Sequence, residues 1–180
     1  KEEKKKGEDV LLVCSAFNKV TDQLISAGKL AGKRDRSYLE ILSNVKKRHL
    51  AAIDQMVTKK SIKPDMVKEL EEGLQRVEDI LKGINLLGEL SDKTLANLVS
   101  FGERFSCFII AGALKEAGIK GIYVNATQLV KTDSNYLSAK VNFDKTNKNI
   151  IDFFEALNGV AVVTGFIGSD DHGNITTLGR

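Results

Sequence analysis

The sequence predicts an α/β fold with a largely parallel sheet, and three observations predict it. Apolar runs too short for helices, "VLLVC", "GIYV" and "VAVVTGFIG", recur along the chain. Between them lie segments whose apolar residues return every three or four positions, the period of a helix buried on one side. Strands that alternate with helices in this way build parallel sheets, and ligands of such sheets bind beyond the carboxyl ends of the strands.

Each element follows in order. The opening "KEEKKKGEDV" reads as the polar end of a helix leading into a strand. "VLLVC" is continuously apolar, as expected of a strand buried on both faces. Asn18 is then placed to cap a helix that carries Val20, Leu24, Ala27 and Ala31 on one face and ends near Gly32. A long helical section follows. Leu42, Val45, His49, Ile53 and Met56 share one stripe, and His49 reads as a helix-face residue rather than a ligand. Pro64 opens a second helix with Val67, Leu70, Leu74, Val77, Leu81 and Ile84 on its apolar side. The two read as a helical hairpin docked on the main body. Lys46, Lys47, Arg48, Glu71 and Glu72 lie mostly off its apolar stripe, on a solvated face.

Ser91 caps a third helix that runs to Gly118. "GIYVNATQLV" is a strand running into a loop, and "YLSAKVNF" alternates as a further short strand. "NKNIIDFFEAL" is a helix with Ile150, Ile151, Phe154 and Leu157 on its buried side. "VAVVTGFIG" is the third apolar strand, and "SDDHGN" a solvated hairpin turn. Asp170, Asp171 and His172 crowd that turn, but adjacent turn residues rarely converge on one ion, so no metal site is assigned.

Composition narrows the function. At 180 residues the chain suits one domain with a real core. A net charge of +3 does not point to nucleic acid, though it suits a small anionic ligand. No run approaches membrane-spanning length, so no membrane partner is expected. Cys14 and Cys107 both sit in apolar runs and read as buried thiols of a reducing compartment, placing the protein in the cytoplasm.

Four places could carry chemistry. Ser15 leaves the end of a strand and Thr21 lies in the first turn of the next helix. Two hydroxyls there could hold a carboxylate or phosphate, or could merely shape the turn. Glu103 interrupts a stripe containing Ala96, Val99, Cys107, Ile110 and Leu114. A carboxylate on an apolar stripe needs a partner. Arg104, adjacent on the helix, points elsewhere. The partner is either a salt bridge within the core or a ligand's ammonium group, and Gly102 leaves room for a close approach. Arg180, after "TTLG", could grip a carboxylate with two parallel hydrogen bonds, although position alone reads it as solvent-exposed.

Three stretches, "VLLVCSAFNKVTDQL", "LVSFGERFS" and "VVTGFIGSDDHGNITTLGR", resemble aspartate kinases of the amino acid kinase family in order and spacing. "TDSNYLSAKV" resembles that family's connecting segment. The resemblance covers nearly the whole chain and is most specific in the last stretch. It implies a three-layer αβα sandwich with a helical insertion at about residues 36–90. It also implies transfer of the ATP γ-phosphoryl group to the side-chain carboxylate of L-aspartate, with Mg2+ accompanying ATP, in the first step of lysine, threonine and methionine synthesis. By the same resemblance Glu103 binds the α-ammonium of aspartate and Arg180 its α-carboxylate. Ser15 and Thr21 line the pocket, and Phe166 adds backbone and wall. The family's Lys-Phe-Gly-Gly-Thr-Ser strand and its Gly-Gly-Ser-Asp continuation are not in this sequence. The chain is therefore expected to be the amino-terminal, aspartate-binding portion of a larger enzyme, without the nucleotide-binding half and the regulatory ACT domains. No lysine here is assigned to catalysis, and the isolated piece is expected to lack kinase activity. Family members are commonly oligomeric, which leaves a homo-oligomer open.

Two rival readings remain. Another amino acid kinase would use a different acceptor, although Glu103 argues against an acetylated amine, which carries no charge to pair with it. A non-catalytic module would instead present Val67, Leu70, Leu74 and Val77 to a partner.

Overall fold

Three of the apolar runs become one parallel sheet in the computed structural model, which describes residues 10–179. The polar opening segment, residues 1–9, and Arg180 lie outside the described residues. Strands β1 (Leu11–Cys14), β2 (Gly121–Val124) and β3 (Val160–Thr164) lie in the order β1-β3-β2. Cys14 stands opposite Thr164 and Val124 opposite Val163. All three strands therefore end together on one side of the sheet.

The pleat sends alternate residues to opposite faces. Val162, Leu12, Cys14 and Tyr123 pack with Cys107 and Ala111 of helix α4 (Asp92–Glu116). Ala161, Val163, Ile122 and Val124 pack with Ile150, Phe153 and Phe154 of helix α5 (Phe143–Glu155). Helix, sheet and helix make three layers.

β1 departs from the expectation of a fully buried strand: Leu11 is 48% and Val13 65% exposed. Both point to the α5 face, and the cluster that α5 forms there rests on β2 and β3 instead. The other face of β1, Leu12 and Cys14, is covered by α4.

Beyond α4 stand α1 (Val20–Gly32), α2 (Tyr38–Met56) and α3 (Lys63–Leu87). The four helices share one core. The predicted stripe of α1, Val20, Leu24, Ala27 and Ala31, is buried throughout. On α3 six residues are buried, Met66, Leu70, Leu74, Val77, Leu81 and Ile84. At about 1.5–3 kcal/mol for each large side chain, they outweigh exposed pairs such as Glu78–Lys82, whose charges are screened by water and salt. Leu70, Leu74 and Val77 are thus consumed by the protein's own core and Val67 is half-buried. The apolar face that a non-catalytic module would present there is already covered.

Other differences are local. Met56 is 45% exposed, because α2 ends there and Val57 turns into the core with extended backbone. Ile151 is exposed; the contact stripe of α5 is Ile150, Phe153, Phe154 and Leu157, and Ile151 stands about 100° round from Ile150. Residues 136–143 form no strand, only an isolated bridge between Thr132 and Val141. Asp133 explains this. Its Oδ1 accepts from the N–H groups of Asn135 and Lys140 (3.2 and 3.0 Å), closing a loop at the expense of a ladder. The last apolar run breaks at Gly165–Phe166, and β4 (Ile167–Ser169) then pairs with β5 (Ile175–Thr177) in an antiparallel hairpin. Its turn is less solvated than expected. Asp170 is 1% exposed and accepts from the N–H groups of His172 and Asn174, the Asn174 amide and the Ser134 hydroxyl. Burial raises its pKa, but these donors outweigh burial and hold it below the usual carboxylate value.

No helix among the described residues is long and apolar enough to cross a membrane. His49 is fully buried, its ring stacked on Phe17 and edge-on to Phe105. Burial lowers its pKa; the Val45 carbonyl at 2.7 Å works the other way, and the charge of Arg48 adds to the lowering. The unfolded chain takes up a proton there near pH 6.5, before the folded one does. Stability should therefore fall as pH drops below about 6.5, by at most about 1.4 kcal/mol per pH unit. Urea midpoints at pH 7.5 and 5.5 would show it, and His49→Phe should flatten the difference.

Candidate functional site

The chain turns from β1 into α1 through Ser15–Lys19, at the carboxyl end of the sheet. Helix α4 holds the start of that turn residue by residue. Cys107 Sγ donates to the Cys14 carbonyl at 3.4 Å, Ser106 Oγ to the Ser15 carbonyl at 2.6 Å, and Glu103 Oε1 accepts from the Ala16 N–H at 3.3 Å. Residues 103, 106 and 107 share one face because they are spaced by three and four. The Ser15 hydroxyl also points at Glu103 Oε1, from 3.5 Å.

Glu103 is 1% exposed and faces this turn rather than Arg104. The Arg104 guanidinium lies over the Phe101 ring, 4.4 Å from its centroid. Gly102 permits the contact between helix and turn. A methyl added there would stand 2.9 Å from Ala16 Cβ and 3.7 Å from Thr21 Oγ1. Thr21, half-buried in the first turn of α1, is thus set beside Gly102. Asn18 does not cap α1. Lys19 takes the cap position in the left-handed region (φ 65°) with no side-chain cap bond, and the Asn18 carbonyl is bound by Arg48 at 2.6 Å.

Phe166 joins the group from β3. The Gly165 N–H donates to the Cys14 carbonyl at 2.9 Å, tying the ends of β1 and β3 together. Phe166 follows with φ 65°, a backbone region that costs a bulky residue of order 1–3 kcal/mol. Its carbonyl accepts from the Leu178 N–H at 2.9 Å, and its ring packs between the helical core and the α5 face. β5 rests on α4, and Gly179 comes beside Ser138 in the left-handed region. Ser15, Thr21, Glu103 and Phe166 therefore gather at one end of the sheet, and the strand that leads to Arg180 runs along the helix bearing Glu103. Arg180 itself lies outside the described residues.

Sequence reasoning misses Ser106 and reads Cys107 only as a buried thiol, although small polar residues three and four positions after Glu103 on an apolar stripe are a readable sign. Burial pushes the Cys107 thiol up to about 12, with the neighbouring Cys14 adding to the shift. It remains a neutral donor that stitches α4 to β1 and β3. Cys14, half-buried, is raised by burial too, and both cysteines are free. Asp170, Asp171 and His172 stay with the hairpin turn, where Asp171 pairs with Lys145 at 2.7 Å. No group of three or more His, Cys, Asp or Glu side chains among the described residues is arranged to hold a metal ion.

The sequence model of the Amino acid kinase family matches residues 1–180. Curated relatives include aspartokinase 1, chloroplastic, of Arabidopsis thaliana, 32% identical over 96% of this chain and 31% of its own length. The aspartokinase of Saccharomyces cerevisiae is 23% identical over 97% of this chain and 35% of its own. The chain thus spans about a third of the length of each of these two relatives. Among solved structures, E. coli aspartokinase III in complex with lysine and aspartate superposes with a TM-score of 0.87, at 21% identity, over 99% of this chain and 39% of that one. The same enzyme with aspartate and ADP gives a TM-score of 0.83 at 23% identity, over 95% and 37%. At such identities the likeness speaks for the fold, a mixed α/β fold built on a parallel sheet. With the family match running from end to end, the chain belongs to the amino acid kinase family.

Proposed function

We propose that the protein carrying this chain is an aspartate kinase, moving the γ-phosphoryl group of ATP to the β-carboxylate of L-aspartate, and that this chain supplies the aspartate-binding part. One observation carries the reading: a carboxylate on an apolar helix, 1% exposed, is aimed at the turn beyond the carboxyl end of a parallel strand. A buried anion there suits an ammonium group. In this reading Glu103 receives the α-ammonium, Arg180 grips the α-carboxylate as a fork, and the Ser15 and Thr21 hydroxyls line the pocket beside Phe166. Held at both charged ends, aspartate presents its side-chain carboxylate in one orientation, and positioning is a large part of phosphoryl-transfer catalysis. Mg2+ would enter with the nucleotide's phosphates. The names of the relatives and the aspartate bound in the two solved structures favour the same acceptor.

Acetylglutamate as acceptor is disfavoured on the same ground, since an acylated nitrogen has no charge for Glu103. The test is hydroxamate formation from ATP, hydroxylamine and either L-aspartate, L-glutamate or N-acetyl-L-glutamate, using the protein that carries this chain. Aspartate should dominate, and the isolated 180-residue chain should give none. Dominance of another acceptor would overturn the aspartate reading. Turnover by the isolated chain near that of the larger protein would overturn the division of labour.

A further inference from the structure

The turn that carries Ser15 is braced from a second side, by α2. Arg48 is exposed, yet its Nη1 donates to the Asn18 carbonyl at 2.6 Å, 30 positions away in sequence. The next residue, His49, lies under the same turn. Its ring stacks on Phe17 at 5.1 Å between centroids, with 17° between the planes, and meets Phe105 edge-on at 5.3 Å. Phe105 is two residues from Glu103 on α4. The imidazole is itself fixed, with Nδ1 2.7 Å from the Val45 carbonyl one helical turn back. Arg48 and His49 thus seize consecutive residues of the turn, Asn18 by its backbone and Phe17 by its ring.

The turn needs such a brace. Lys19 sits in the left-handed region at φ 65°, which a long side chain adopts only when its surroundings insist. No side-chain cap bond secures the start of α1. The three bonds from α4 hold Cys14, Ser15 and Ala16, and nothing in that set reaches residues 17–19. A guanidinium on the carbonyl before Lys19 fixes the peptide plane at the point where the chain enters the left-handed region.

We infer that Arg48 and His49 are positioning residues: through Asn18 and Phe17 they hold the Ser15–Lys19 turn against Glu103, and so set affinity for the amino acid without touching it. The part concerning affinity rests on the aspartate reading above. The part concerning the turn does not, and two readouts separate them.

In the protein carrying this chain, wild type, Arg48→Met and Arg48→Lys would be compared by steady-state kinetics and by hydrogen exchange of the 16–20 amides. Arg48→Met should raise KM for aspartate about three- to tenfold, the loss expected for one hydrogen bond made at an exposed site. Its kcat and KM for ATP should stay within about twofold, and exchange at 16–20 should quicken by a similar factor. Arg48→Lys should recover most of both effects, since an ammonium also donates to a carbonyl. His49→Leu, which keeps apolar bulk but removes the ring stacked on Phe17, should also raise KM for aspartate and quicken exchange at 16–20. If neither changes in that variant, His49 is removed from the brace. Unchanged exchange in Arg48→Met overturns the brace. Quickened exchange with an unchanged KM for aspartate overturns its role in affinity. A rise in KM for aspartate and ATP alike also overturns that role, by showing a general loosening. If wild type does not use aspartate at all, the functional reading fails while the exchange data still decide the brace.

Discussion

Glu103→Gln should lower kcat/KM for aspartate on the order of 10²- to 10³-fold while the protein stays folded. The substitution keeps shape and removes charge. A glutamine carbonyl can still accept from the Ala16 N–H, now 3.3 Å from Oε1, so the turn keeps its hold on α4. The acceptor's ammonium loses its counter-charge. Removing one partner of a buried ion pair costs about 3–5 kcal/mol, which sets the expected factor. The measurement is initial rate against aspartate concentration, with KM for ATP as control. Most of the loss should appear in KM for aspartate, because the ammonium is bound in ground and transition states alike. An unaltered kcat/KM would remove Glu103 from the site and favour a purely structural carboxylate.

Gly102→Val should damage stability and aspartate use together. An added Cβ would stand 2.9 Å from Ala16 Cβ, with Val20 Cγ1 at 3.6 Å and Thr21 Oγ1 at 3.7 Å. Ala16 Cβ cannot swing away, since it is attached directly to the backbone of the turn. The turn must lift off α4, stretching the bond between the Ala16 N–H and Glu103. Overpacking of this kind costs about 1–3 kcal/mol, and kcat/KM for aspartate should fall at least about tenfold as Ser15 and Glu103 part. Gly112→Ala on the same helix is the control. The nearest atoms to its added methyl belong to the Met66 side chain, its sulfur and terminal methyl foremost, and that flexible chain can shift where Ala16 Cβ cannot. Urea midpoints and acceptor kinetics should separate the two. Equal losses in both variants would mean that the fit of helix to turn is not special at Gly102.

Much of the fold is written in short-range chemistry. Ser91 was legible as a cap, and its hydroxyl accepts from the Thr94 N–H at 3.2 Å. The stripes of α1 and α3 were legible because burial on one side of a helix has a fixed period. The failures are of another kind. "YLSAKVNF" alternates like a strand, but the carboxylate of Asp133, outside that segment, takes its backbone donor at Lys140. "VLLVC" reads as buried on both faces, whereas the exposure of Leu11 and Val13 depends on where α5 is laid. The break at Phe166 is marked in sequence only by Thr164 and Gly165, too little to divide a run that is otherwise apolar.

The candidate site divides in the same way. Glu103 stands out in sequence because a charge violates an apolar stripe, a conflict that can be read one helix at a time. What it faces cannot be read so. The meeting of Glu103 with Ala16, of Ser106 with Ser15 and of Arg48 with Asn18 spans 87, 91 and 30 positions. Local composition fixes which side of each helix is apolar and where helices begin, because hydrogen bonding and burial within one element are decided by near neighbours. Only the packed arrangement decides which polar residues share an end of the sheet. Two elements come face to face through the shape of the whole core, and no short window of sequence contains that shape.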